Sequence, residues 1–133
     1  MIIIRNNFIP FKGFLAMNVL GVLFVRSKAK INETTIRHEA IHTAQQYEII
    51  TLSALAPLIA SNFYESWWYL LIVIAMPIAI YVWAWLIALA LPPYDSAYKD
   101  SPFEREAYAN QYNVDYLSTR PIGAVVKYFF TKI

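Results

Sequence analysis

His38, Glu39 and His42 read H-E-x-x-H, and they include both histidines of the chain. On a helix, residues four apart lie one above the other on the same face. Two imidazoles placed so can bind a single zinc ion. The intervening Glu39 can take a proton from a water that the metal activates. Chance would give such a pattern in roughly one in a few hundred chains of this length.

A hydrolytic zinc takes three protein ligands and keeps a fourth position for water. The chain has no cysteine and no third histidine. Thiolate sites and the longer three-histidine pattern are therefore excluded, and membrane di-iron chemistry, which needs many histidines, is excluded with them. A carboxylate must complete the set. The downstream acids are Glu48, Glu65, Asp95, Asp100, Glu104, Glu106 and Asp115. Glu48 falls on another face of the motif helix, Glu65 at the far end of a helical hairpin, and Asp95 and Asp100 in a loop. Glu104 and Glu106 stand on a helix that returns to the motif. Each helical residue turns about 100°, so these two point about 160° apart and cannot share one ion. Phe103, Ala107, Val114 and Leu117 mark an apolar face with Glu106 nearer its centre, where a carboxylate needs a partner. Both acids would also suit the first turn of a helix with no metal present.

The elements around these residues follow from periodicity and punctuation. Residues 1–30 read as an interfacial segment with a short strand pair. A β-branched run opens it, and residues 19–25 offer a strand edge to an extended substrate. Asn32 is the expected N-cap of a motif helix over 32–60, wet at its start and apolar after Ile49. Pro57 is a candidate kink. Residues 67–91 carry no charge and would span about 37 Å as a helix, enough to cross a bilayer. Ser101 and Pro102 open a glutamate helix over 101–117. The tail, 121–133, spaces Ile122, Val125, Val126, Phe129, Phe130 and Ile133 as an amphipathic helix on a membrane surface.

Composition points the same way. The chain has 133 residues, enough for one domain, and is 59% hydrophobic but only 15% charged. All eleven Lys and Arg lie outside residues 49–91. By the positive-inside rule the motif then faces the cytoplasm. A net charge of +2 with no basic stripe argues against nucleic acid. No secretory signal is evident at the start.

With these residues in place, the chain resembles the gluzincin metalloproteases, the H-E-x-x-H plus glutamate class. Within it, the pattern is similar to the membrane-bound heat-shock and prenyl-protein proteases, in minimal form. Those follow the motif helix with membrane spans and then a helix reading E-x-x-A-D. The matching stretch here is Glu104-Arg105-Glu106-Ala107-Tyr108. The resemblance implies His38, His42 and Glu104 as ligands of one Zn2+ and Glu39 as the base. Tyr108 stands where the family has an aspartate that orients a ligand histidine. Glu106 with Asn110 fits the same pattern, so both are alternatives for ligand or orienting group. Tyr112, Tyr116 and Arg120 are candidate oxyanion donors or packing residues. Polar neighbours of the motif, Asn32, Glu33, Arg37, Gln45 and Gln46, separate it from proteases whose site lies inside the lipid.

The expectation is thus a mainly α membrane protein with a transmembrane helical hairpin and a small zincin-like interfacial part. It would be integral to a bacterial inner membrane, with its site on the cytoplasmic face. It would be a zinc metallopeptidase acting on a peptide or membrane-protein substrate beside the lipid bilayer. The competing expectation is a non-catalytic membrane module, its motif holding a structural metal or none and its hairpin mediating assembly with a partner.

Overall fold

A computed structural model describes residues 1–10, 15–60, 62, 68–90 and 101–130. Glu65, Asp95, Asp100 and the hairpin tip, apart from Asn62, lie outside them, as does the end of the tail.

Three strands form first: β1 (Ile2–Asn6), β2 (Ala16–Val19) and β3 (Val22–Arg26). The sheet order is β1-β3-β2, with β1 parallel and β2 antiparallel to β3. β3 is central, and its alternate residues Leu23 and Val25 are fully buried, as a period of two requires of a strand with one face on the core. Leu20 and Gly21 make the two-residue turn between β2 and β3. Both have positive φ, 49° and 84°, the geometry that suits a tight hairpin. Leu20 bears the strain of that region, and α1 holds it there. Gln46 Oε1 accepts from Leu20 N at 2.6 Å, and Tyr47 Oη donates to Leu20 O at 3.1 Å. A Cβ on Gly21 would meet Thr43 Cγ2 at 3.4 Å, so the turn sits close on the helix.

The long helix α1 (Glu33–Ala60) starts where Asn32 caps it. Asn32 Oδ1 accepts from Thr35 N at 2.8 Å, satisfying an otherwise orphaned donor. α2 (Tyr69–Ala90) follows. α3 (Pro102–Asn110) begins with Ser101 Oγ accepting from Glu104 N and Pro102 in the first turn. A short α4 (Tyr116–Thr119) and a 3-10 helix (Ala124–Phe129) complete the order. Phe103 of α3 packs on Ile49 of α1, and Val125 covers both.

Five expectations are corrected. The fold is mixed α/β rather than mainly α, since the expected strand pair is a three-stranded sheet. The transmembrane hairpin is not seen: among the described residues no helix is long and apolar enough to cross a membrane. α1 carries Gln45, Gln46, Glu48, Thr51 and Ser53 through its middle turns. With the hairpin goes the integral membrane location, and with it the cytoplasmic-face orientation that rested on the hairpin. The glutamate helix does not reach Leu117 but ends at Asn110. Asn113 Oδ1 accepts from Asp115 N at 3.1 Å, a local bond that competes with helix continuation. Up to residue 130 the tail forms a 3-10 turn in place of the expected surface helix: it buries Tyr128 and sets Val125 on the core, while Ile122 and Phe130 are exposed.

Candidate metal centre

α1 and α3 meet at three side chains. His38 Nε2 lies 3.2 Å from His42 Nε2. Glu104 Oε2 is 3.2 Å from His38 Nε2, and Glu104 Oε1 is 3.4 Å from His42 Nε2. The two histidines share a face because α1 is regular from its Asn32 cap onward. Glu104 reaches them because the Ser101 cap and Pro102 start α3 one turn before Ala107, which is fully buried against the core.

The spacing can be compared with coordination geometry. Bonds of 2.0–2.1 Å in a tetrahedron separate neighbouring ligand atoms by about 3.3–3.4 Å. The two rings approach to 3.2 Å, each has one oxygen of Glu104 at 3.2 or 3.4 Å, and one ligand atom from each of the three residues lies within 4.8 Å of the others, close enough to converge on one ion. Among the described residues Glu104 Oε2 is buried with no hydrogen-bond donor, an atom that a cation would satisfy. Among the described residues the group offers three protein ligands and no fourth.

Electrostatics agree with a site for positive charge. Burial works to raise the Glu104 pKa, but the imidazoles of His38 and His42 beside its two oxygens outweigh it and hold the carboxyl at about 2. Burial works to lower the His42 pKa, and Glu104, then Gln45, reverse that and raise it. Glu39 is raised by burial, only partly offset by the charges of His42 and His38 and reinforced by Glu104. A carboxyl raised in this way is better matched to taking and returning a proton near neutral pH.

Glu39 is also fixed through its backbone. Asn18 Nδ2 of β2 donates to Glu39 O and to Thr43 Oγ1, the latter at 2.8 Å. The sheet is thereby tied to the motif turn. The substrate edge expected at residues 19–25 is not available on β3, which is paired on both sides. β2 is the outer strand, and Gln46 already occupies its Asn18 O and Leu20 N.

The remaining candidates part company. Tyr108 packs its ring edge-on against His38, centroids 4.7 Å apart. Among the described residues His38 Nδ1 is buried without a hydrogen bond, from Tyr108 or any other group. The aspartate's orienting role therefore does not pass to Tyr108. The Tyr108 phenol is raised by burial, Glu104 and Glu39 and so keeps its proton beside the cluster. Glu106 is fully buried and faces away from the histidines. It accepts from Tyr116 Oη at 3.0 Å, from Arg120 and from Gln45 Nε2 at 3.0 Å. Tyr116 and Arg120 are thus committed to Glu106 rather than to an oxyanion. Burial works to lower the Arg120 pKa, but Glu106 and Glu48 raise it further. Asn110 Nδ2 bonds Glu106 O and Tyr128 Oη, away from the cluster. Tyr112 is exposed.

No protein-family model, no curated protein and no solved structure matches the chain. The reading of this centre therefore stands on its residues. Two of them escaped the sequence analysis as site residues. Gln45 follows His42 by three positions, on the same face, and that spacing was the available signal. Asn18 carries no local signal, because its partner lies across the fold.

In protein stripped of divalent metal, the cluster should stabilise the fold in a defined pH window. The Glu104 pKa is depressed, so its contribution is full above its ordinary 4.5 and is lost as pH falls toward about 2. The His42 pKa is raised, so its contribution is full below the ordinary 6.5 and is lost as pH rises through the raised value. Both operate between 4.5 and 6.5. The stability difference between wild type and Glu104→Gln, measured by urea denaturation, is expected to peak in that interval. A difference independent of pH would contradict the pairing.

Proposed function

We propose that the chain is a zinc-dependent peptide hydrolase of gluzincin type. The observation that carries the reading is the convergence of His38, His42 and Glu104, whose ligand atoms lie within 4.8 Å of one another, with Glu39 in the same turn of α1. The resemblance of H-E-x-x-H and E-x-x-A to the gluzincin pattern supports the same assignment.

Zinc held by those three side chains would acidify a water and polarise the scissile carbonyl. Glu39 takes the proton of the attacking water as its oxygen adds to the carbonyl carbon. The carbon–nitrogen bond then breaks, and Glu39 returns the proton to the leaving nitrogen. The tie from Asn18 to Glu39 O keeps that turn of α1 in place. Tyr108, still carrying its proton and with its ring against His38, is a candidate donor to a developing oxyanion.

A structural metal is the alternative, and it calls for four protein ligands. The three found among the described residues favour the catalytic reading. The test is metal content with activity. Purified protein is expected to hold one zinc per chain and to cleave an unstructured casein-derived peptide mixture. His38→Ala and His42→Ala should each lose the metal and the cleavage. Full zinc occupancy in the double variant would remove the site, and zinc without cleavage would leave the structural reading.

A further inference from the structure

We propose that Gln45 is a positioning residue that holds His42 in the one tautomer a metal can use, and that Glu106, Arg120 and Glu48 anchor it. The purpose of the device rests on the zinc reading above; its geometry does not.

The amide of Gln45 has one permissible orientation. Its Nε2 lies 3.1 Å from Phe103 O and 3.0 Å from Glu106 Oε2. A carbonyl and a carboxylate only accept, so the NH2 group must face them. The carbonyl Oε1 then faces His42 Nδ1, at 2.8 Å. Because Oε1 also only accepts, Nδ1 must carry the proton. In the neutral ring Nε2 is left with its lone pair, and Nε2 is the atom that meets His38 and Glu104.

The anchor extends away from the cluster. Glu106 takes donors from Gln45, Tyr116 and Arg120. Arg120 Nη2 also donates to Glu48 Oε2 at 3.0 Å, and Glu48 Oε1 accepts from Gly123 N. Gln45 and Glu106 are both completely buried. Burying such groups costs more than filling the same volume with apolar side chains, even when every partner is found. Stability alone therefore does not account for the chain of contacts, whereas setting one imidazole does. Among the described residues His38 has no such partner on Nδ1, and the contact to Gln45 belongs to His42 alone of the two rings.

The experiment reads the tautomer and the metal separately. Long-range proton–nitrogen NMR of chelator-treated protein, above the titration range of imidazole, should show His42 protonated at Nδ1. Gln45→Leu should lose that preference, keep its helical circular dichroism and bind zinc roughly 10–100-fold more weakly. The exchanged pair Gln45→Glu with Glu106→Gln again offers an acceptor to His42 and a donor between α1 and α3. It should restore the Nδ1 proton and the wild-type zinc affinity. A His42 proton on Nε2 in the wild type would overturn the proposal, and so would unchanged zinc affinity in Gln45→Leu. If Gln45→Leu fails to fold, the wild-type tautomer and the exchanged pair still decide. If wild-type protein binds no zinc, the hydrolase reading falls, and the tautomer alone reports on Gln45.

Discussion

Glu39→Gln is expected to hold one zinc per chain, as the wild type does, and to cleave peptide roughly 10²–10⁴-fold more slowly, the usual worth of a positioned general base. The two halves of this result follow from different atoms. Metal retention follows because the converging ligand atoms belong to His38, His42 and Glu104, with Glu39 outside that set. Loss of rate follows because an amide of the same shape cannot take the water's proton. The fold should not suffer. The contacts tying this turn to β2 run through Glu39 O and Thr43, which the substitution leaves alone. Removing a carboxylate whose pKa burial has raised also relieves a cost rather than adding one. Zinc analysis and a kcat measurement on the same preparation check both halves. Wild-type cleavage by Glu39→Gln would end the mechanism, and loss of zinc would mean that Glu39 is a ligand.

Much of this site could be read locally. H-E-x-x-H places two rings on one face whatever the surroundings, and Asn32 marks the start of the helix that carries them. Ser101-Pro102 marks the start of α3, and the 160° argument separates Glu104 from Glu106 before any coordinates. The illegible parts depend on contacts far apart in sequence. β1 pairs with β3 across the whole β2 hairpin, and nothing in its β-branched run names that partner. Leu20 at positive φ gives no signal of a tight turn; Gln46 and Tyr47 of α1 hold it there. The partner that Glu106 needed was inferred from burial cost, but its identity was not. Arg120 and Tyr116 arrive from beyond the break at Asn113, which a continuous helix over 101–117 had hidden. The membrane reading failed for a different reason. It rested on apolar composition and absence of charge, and among the described residues no helix is long and apolar enough to cross a membrane.

The two glutamates of α3 offer the second large effect, because the structure gives them opposite fates. Glu104→Gln should abolish tight zinc binding while the protein stays folded. An amide oxygen is a poor substitute for a carboxylate in a His₂Glu set, and the lost contacts are those with His38 and His42 alone. Glu106→Ala should do the reverse at first order. It leaves Arg120, whose side chain is only 6% exposed, with Glu48 as its remaining ion-pair partner. It also leaves Tyr116 Oη and Gln45 Nε2 each short of an acceptor. Breaking a buried ion pair from one side costs about 3–5 kcal/mol, so urea denaturation should show a loss of that order. Zinc affinity should fall only through the loosened Gln45, by less than in Glu104→Gln. The ordering decides the ligand. If Glu106→Ala loses the metal outright and Glu104→Gln keeps it, the third ligand is Glu106 and α3 must be turned by about half a revolution from the arrangement described. If neither changes zinc binding, two histidines alone hold the ion and the gluzincin reading is lost. If both unfold the protein, the carboxylates serve α1–α3 packing together, and the division of labour between chemistry and scaffold drawn from their partners is wrong.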